Sequence, residues 1–276
     1  MLEKIQTCCA VVLLALILSM TSNRSAHAEA DEWRFELTPY VWLTSVDLED
    51  ATVRGQSASA ELDFGDVWDL LDFAGFVRFE AWKGNWGFVF DGYHVDLGAE
   101  GDLTPRLGPV TFANISVDVD LKQTMMDFAV SYRFSMPRGD RKPTWSIEPI
   151  AGLRYCDLKE RIDISKAAGP VLAAMGRTIE GSQWYVEPFV GGRLTVKLTE
   201  NLAFALRGDV GGFGIAEASH LTWNLIAGFD YKPWESVSLK FGYRILDVNW
   251  DIGSGGDETG LDARLHGPAL GVTFYF

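Results

Sequence analysis

Three histidines follow residue 28, at His94, His220 and His266, and they bound what nucleophilic chemistry the chain could support. A serine hydrolase needs a serine within reach of a histidine that a carboxylate orients. Ser219 and His220 are adjacent, so on a strand they point to opposite faces. His94 has Asp96 two residues on but no serine beside it, and His266 leads into the last apolar stretch. No triad is spelled, and the chain is read as a non-enzyme, with an outer-membrane hydrolase as the lesser alternative. Asp118 with Asp120, and Glu61 with Asp63, place acids two apart, a spacing that serves proton transfer or a hard cation. On a charge-rich wall the same spacing serves ion pairing with bases on neighbouring strands. No cofactor and no metal site is expected. Past the leader only Cys156 remains, which gives neither an internal disulfide nor a cysteine-based metal site.

The stronger chemical signal is charge repeated at alternate positions. Arg78 and Glu80, Glu148 and Arg154, Glu187 and Arg193, and Arg207 and Asp209 share faces within their segments, joined by Asp91, Lys240 and Arg244. On an enclosed face such residues must meet counter-charges or water. These eleven are the expected pore-lining set. Across the presumed inner faces ten bases nearly balance twelve acids, and acidic connections near 47–50 and 257–262 would concentrate cations at a mouth.

The elements that would carry these residues are strands. Trp33, Phe35, Leu37, Pro39, Val41 and Leu43 alternate with Arg34, Glu36, Thr38, Tyr40, Trp42 and Thr44, and a strand separates the two sets. The pattern recurs from Trp145 to Cys156 and from Gln183 to Lys197. It predicts about twelve strands (range ten to fourteen): 33–46, 53–64, 73–83, 85–97, 109–122, 124–135, 144–163, 178–198, 202–213, 219–231, 236–250 and 261–276. Tight turns fall at Lys83-Gly84-Asn85, at 199–201 and at 232–236, with longer connections near 98–108, 164–177 and 251–260. Gly65 to Asp72 suits a short helical turn. Pro39, Pro149 and Pro188 each remove a ladder donor, and bulges are expected there. The glycines at 208, 211, 212 and 214 suit close packing of backbones.

Lys4, the largely apolar run Ala10–Met20 and Ala26-His27-Ala28 have the order of a cleaved signal peptide, residues 1–28, leaving 29–276 as one domain. That run falls short of the roughly 20 residues a spanning helix needs. Apolar residues at 47% exclude a disordered chain, and the mean hydropathy of +0.04 excludes a bundle of membrane helices. The net charge of −14 argues against a nucleic-acid partner. What remains is a soluble sandwich or a transmembrane antiparallel β-barrel. Tryptophans at segment ends (33, 86, 145, 184, 234 and 250) would form interfacial girdles and favour the barrel.

The chain ends on Pro268, Leu270, Val272, Phe274 and Phe276 at every second position. This ending resembles the insertion signal of outer-membrane barrels, in which the alternate apolar residues, here Leu270, Val272, Phe274 and the terminal Phe276, are read by the barrel-assembly machinery. Thr38-Pro39-Tyr40-Val41-Trp42-Leu43, Asp69-Leu70-Leu71-Asp72-Phe73, 78–86, 208–214 and 242–247 are similar to stretches of a poorly characterised group of Gram-negative outer-membrane β-barrel proteins. The resemblance implies fold, outer-membrane location, and lipid and the assembly machinery as partners. It implies no mechanism. The charge-balanced lumen then suggests a narrow passive channel for small solutes or ions; a closed structural or adhesive barrel is the alternative.

Overall fold

The computed structural model of the protein describes residues 32–53, 56–103, 106–107, 110–111, 115–136, 145–166, 178–214, 221–252 and 259–276. The leader assigned to 1–28, His220, and most of the connections expected at 164–177 and 251–260 lie outside them. The chain runs through β1 (Trp33–Trp42), β2 (Ser45–Val53), β3 (Gln56–Leu62), α1 (Phe64–Leu70), β4 (Leu71–Lys83) and β5 (Trp86–Leu103). It continues through β6 (Arg106–Leu107), β7 (Val110–Thr111), β8 (Ile115–Tyr132), β9 (Phe134–Met136), β10 (Trp145–Lys166) and β11 (Thr178–Lys197). β12 (Leu202–Gly212), β13 (Leu221–Tyr231), β14 (Val237–Ile252) and β15 (Thr259–Tyr275) complete it.

Ten strands close an antiparallel barrel in the order β1, β4, β5, β8, β10, β11, β12, β13, β14, β15 and back to β1. At the closing seam Glu36 faces Tyr275 and Trp42 faces Ala269. Three strands of the same sheet lie outside the ring, and among the described residues β6 and β7 pair only with each other. β2 prolongs β1 along β15, β3 folds back on β2, and β9 prolongs the β8 edge along β10. The ring therefore has ten strands and not twelve. The segment 53–64 supplies β3, which is no part of the ring. The expected pair 109–122 and 124–135 is largely one strand, because Lys122-Gln123-Thr124 holds no residue that favours a turn and the ladder with β5 runs through it.

Nor do the prolines produce bulges. Pro39 faces Val77, Pro149 faces Gly192 and Pro188 faces Leu153 with no register shift; the shifts fall elsewhere, as between Asp262 and Ala263. Each proline lies where one neighbouring ladder is already interrupted. Pairing of β1 with β15 skips 38 and 39, the edge formed by β8 and β9 breaks opposite 148 and 149, and β12 begins its pairing with β11 at Phe189. A missing donor costs little there. The true irregularity is the junction of β1 and β2, where Leu43 donates to the carbonyl of Pro268 and Gly267 takes φ 157°. A Cβ on Gly267 would fall on the Leu43 carbonyl, so only glycine lets the two backbones approach. The glycine-rich end of β12 packs as closely: a side chain at Gly191 would run into the Gly208 carbonyl.

Side chains alternate as the period requires. Outward on β11 stand Trp184, Val186, Pro188, Val190, Gly192, Leu194 and Val196; outward on β10 stand Trp145, Ile147, Pro149, Ala151, Leu153 and Tyr155, before charge appears at Asp157 and Lys159. About twelve residue steps of ~3.3 Å, tilted ~40°, make an apolar belt roughly 30 Å tall, the height of a hydrocarbon slab. Trp33, Trp86, Trp145 and Trp234 are exposed near the end that carries the short turns and Phe276, and Trp184, 67% exposed, marks the far edge of the belt. The Trp250 side chain is not among those described. An enclosed antiparallel ladder with an uncharged belt satisfies its backbone internally and can sit in lipid. On the long-loop side α1 stands above the start of β4, held by a reciprocal cap in which Asp63 and Asp66 each accept the other's backbone N–H at 3.1 Å.

Candidate functional site

Inside the barrel the same alternation stacks the charges. Arg78 and Glu80 on β4, Asp91 on β5, Asp127 on β8, Glu148 and Arg154 on β10, Glu187 and Arg193 on β11, Arg207 and Asp209 on β12 and Arg244 on β14 all point inward. With Arg133, which follows β8, they make six arginines against six carboxylates. Arg154 and Glu187 are fully buried, and Glu148 is 1% exposed.

The lattice has two tiers. In the tier nearer the turns, Arg193 grips Glu80 with both terminal nitrogens at 2.7 and 2.8 Å and donates through Nε to Glu148 at 2.6 Å. Arg133 also reaches Glu148 and lies 3.8 Å over the Trp82 ring, whose Nε1 donates to Glu80 at 3.0 Å. In the second tier Arg154 donates to both oxygens of Asp127 at 2.7 and 3.0 Å and to Asp209 at 2.7 Å, with Glu187 at 3.5 Å. Asn224 ties Asp209 to Arg244, which also donates to the Tyr40 hydroxyl at 3.2 Å; Tyr40 in turn donates to Asp91 at 2.8 Å. Arg78 links the tiers, holding Glu80 at 2.7 Å and Asp91 at 3.2 Å.

Two of these contacts cross the lumen. In the ten-strand ring, Arg193 and Glu80 stand on β11 and β4, and Arg207 and Asp91 on β12 and β5, each pair four strands apart by the shorter way. At the next inward position, two residues further along towards the long loops, the lining turns apolar. Asp91 is followed by Tyr93, Arg154 by Cys156 and Arg244 by Leu246, which join Trp42, Met125 and Val248 in one buried cluster. Arg244 lies 4.6 Å from the Trp42 ring, so the cluster is fastened to the lattice by a cation–π contact.

Below the lattice, open towards the turns, lies a cavity of about 680 Å³. Arg78, Asp91, Arg193, Arg207 and Arg244 roof it, and Tyr40, Thr38 and Thr195 line its walls. Its rim carries Arg34, Lys197, Lys232 and Lys240 against Glu36, Glu200 and Asp230. Lys240 stands 3.9 Å from Asp230, and Lys232 lies 3.6 Å over the Tyr275 ring, where burial pushes its ammonium below the ordinary lysine range.

All eleven residues singled out from the sequence thus face the interior, but their pairing is not the one their spacing suggested. Arg78 does bond Glu80, and Arg207 lies 3.5 Å from Asp209. Glu148 bonds Arg133 and Arg193 and not Arg154, and Arg193 bonds Glu80 and Glu148 across strands. Tyr40, Trp82 and Asn224 belong to the site and were not singled out; Asp127 and Arg133 also belong to it and were counted among the inner-face charges, though not in the pore-lining set. Strand parity was the available signal, since Tyr40 shares the face of Thr38, and Trp82 that of Glu80. Of the histidines, His94 Nδ1 is 2.8 Å from Thr124 Oγ1, and His266 lies between Tyr243 (2.7 Å) and Asp47 (3.2 Å) on the outer face. Among the described residues no His/Cys/Asp/Glu group could hold a metal ion.

No family model matches the chain, and no characterised protein matches it by sequence. Among solved structures it is similar to the outer membrane protease OmpT from Escherichia coli, with 10% identity over 91% of this chain and 100% of that one, TM-score 0.49. The translocator domain of the autotransporter NalP from Neisseria meningitidis follows, with 12% identity over 99% and 98% and TM-score 0.43. The P. putida toluene transporter TodX has 9% identity over 90% and 91% and TM-score 0.33. None of these likenesses carries an activity to this chain; the closed barrel and its apolar belt stand on the geometry described above.

Proposed function

We propose that the protein is an outer-membrane barrel that stands closed at mid-height, a structural barrel with a water-accessible vestibule on its turn side. The observation that supports this is the pair of buried contacts crossing the lumen, Arg193 with Glu80 and Arg207 with Asp91, backed by the apolar cluster around Trp42 and Leu246. Bidentate, charge-assisted bonds in a water-poor interior are among the stronger polar contacts a protein makes, so solute cannot pass without breaking them. The apolar belt, the short turns gathered at one end and the leader-like N-terminus support placement in the outer membrane with the turns in the periplasm. The apolar final residues, Leu270 to Phe276, support recognition by the assembly machinery. A non-enzyme remains the reading.

A second reading, a narrow passive channel for small solutes or ions, is favoured by one feature: the vestibule already carries water-accessible space up to the lattice. Planar-bilayer recording separates the two. The closed barrel gives no steady single-channel current in the wild type. Discrete current in the wild type that shifts on Arg78→Gln or Arg207→Gln would establish the channel instead.

A further inference from the structure

The lattice is balanced as a whole but unevenly arranged. Around Arg154 gather three carboxylates, Asp127, Asp209 and Glu187. At the vestibule roof the arginines gather instead: Arg78 and Arg207 reach Asp91 at 3.2 and 3.4 Å, and Arg244 reaches it through the Tyr40 hydroxyl, while Arg78 also holds Glu80 and Arg207 lies within 3.6 Å of Asp127 and Asp209. Three guanidinium groups thus converge on one carboxylate. Arg244, 3% exposed, has no carboxylate at ion-pair distance among the described residues; its hydrogen-bond acceptors are Asn224 and Tyr40.

The donors at this roof also exceed their acceptors. Arg207 is 3% exposed, yet its Nε and Nη2 have no hydrogen-bond partner among the described residues, and Nη2 stands 3.6 and 3.5 Å from Asp127 and Asp209. Nη2 of Arg78 is likewise unpartnered among the described residues. Buried guanidinium donors without acceptors are costly, and a planar fork suits an oxyanion. Both arginines line the cavity, and their unpartnered nitrogens are covered, so an oxyanion arriving from the turn side engages them through a small shift of the guanidinium groups.

We propose that the vestibule roof is a binding site for the oxyanion group, carboxylate or phosphate, of a small solute, held by Arg78, Arg207 and Arg244. The solute enters from the turn side, past the lysines of the rim, and fills donors that the lattice leaves open. The site goes beyond the closed-barrel reading and does not need the lumen to conduct.

The test is calorimetric titration of the refolded full barrel in detergent micelles with inorganic phosphate and, separately, with succinate; the two arms tell phosphoryl from carboxylate. Saturable binding by either at millimolar concentration is expected, weakening with salt. Arg207→Gln should weaken it about tenfold or more, as loss of charge-assisted bonds implies. Arg264→Gln, on the outer face, should leave it unchanged. Should Arg207→Gln fail to fold, judged by gel mobility without heating, the exposed-rim pair Lys197→Gln with Lys240→Gln should still weaken binding severalfold. No saturable heat from either anion, or equal affinity in wild type and the folded variants, overturns the site.

Discussion

Arg193 on β11 and Glu80 on β4 meet across the barrel with two parallel hydrogen bonds of 2.7 and 2.8 Å. Residues 113 apart in sequence are joined there through the interior and not along the wall. Truncating one partner leaves the other buried with fewer bonds, since Glu80 keeps Arg78 and Trp82 and Arg193 keeps Glu148, and should cost about 1.5–3 kcal/mol, whereas replacing both should cost less than the sum of the two losses. Urea unfolding in lipid vesicles of Arg193→Met, Glu80→Leu and the double variant measures the coupling. Losses that simply add would show that the pair does not act as a unit.

Cys156 belongs to the apolar cluster above the lattice and is 7% exposed. In the folded barrel a charged, water-soluble thiol reagent should leave it unmodified, and unfolding in urea should expose it to complete labelling. Rapid labelling of the folded wild type would mean that water reaches the plug, against the closed reading.

Leu153 stands outward on β10 inside the apolar belt, 54% exposed, four positions below Asp157 on the same face. Leu153→Arg should destabilise the barrel in vesicles by about 2–4 kcal/mol, and Asp157→Arg by about 0–1 kcal/mol, because the penalty for charge falls from mid-bilayer to interface. Equal penalties at the two positions would remove the belt from hydrocarbon.

Gly267 lets β15 pass the Leu43 carbonyl at the junction of β1 and β2. Gly267→Ala should lower stability by about 1–3 kcal/mol through backbone displacement. Gly214 takes φ 62°, and none of the described residues lies within 4 Å of the place a Cβ would occupy, so it should tolerate asparagine with little loss. Parallel melts of Gly267→Ala and Gly214→Asn report the contrast, and similar melting temperatures would contradict it.

Much of this architecture is legible in the residue order. Alternation along 33–42, 145–156 and 183–197 fixes both faces of β1, β10 and β11, and it turns Arg154, Glu187 and Arg193 inward without any knowledge of their neighbours. The short helix is legible too, since Asp63 and Asp66 have capping spacing. Strand number was not, because apolar period two continues through Gln123 and also marks β3, a hairpin arm outside the ring. The proline bulges failed for a related reason: whether a missing N–H matters depends on the neighbouring ladder, which local sequence does not contain. The same holds for the lattice. Partners such as Arg193 and Glu80 are set by how many strands close the ring, a property of the whole chain.

The seam between β1 and β15 is bonded inside by Thr38 and Thr273, 2.8 Å apart, and at its end by Phe35 and Phe276, whose backbones exchange hydrogen bonds of 2.8 and 3.0 Å. The ladder that shuts the wall therefore cannot form until Phe276 has been synthesised and delivered. A polypeptide in which β15 has not been delivered, or has been clipped away, is left with two raw edges, each a template for its neighbours, which makes delivery of this strand a checkpoint and its loss an aggregation hazard.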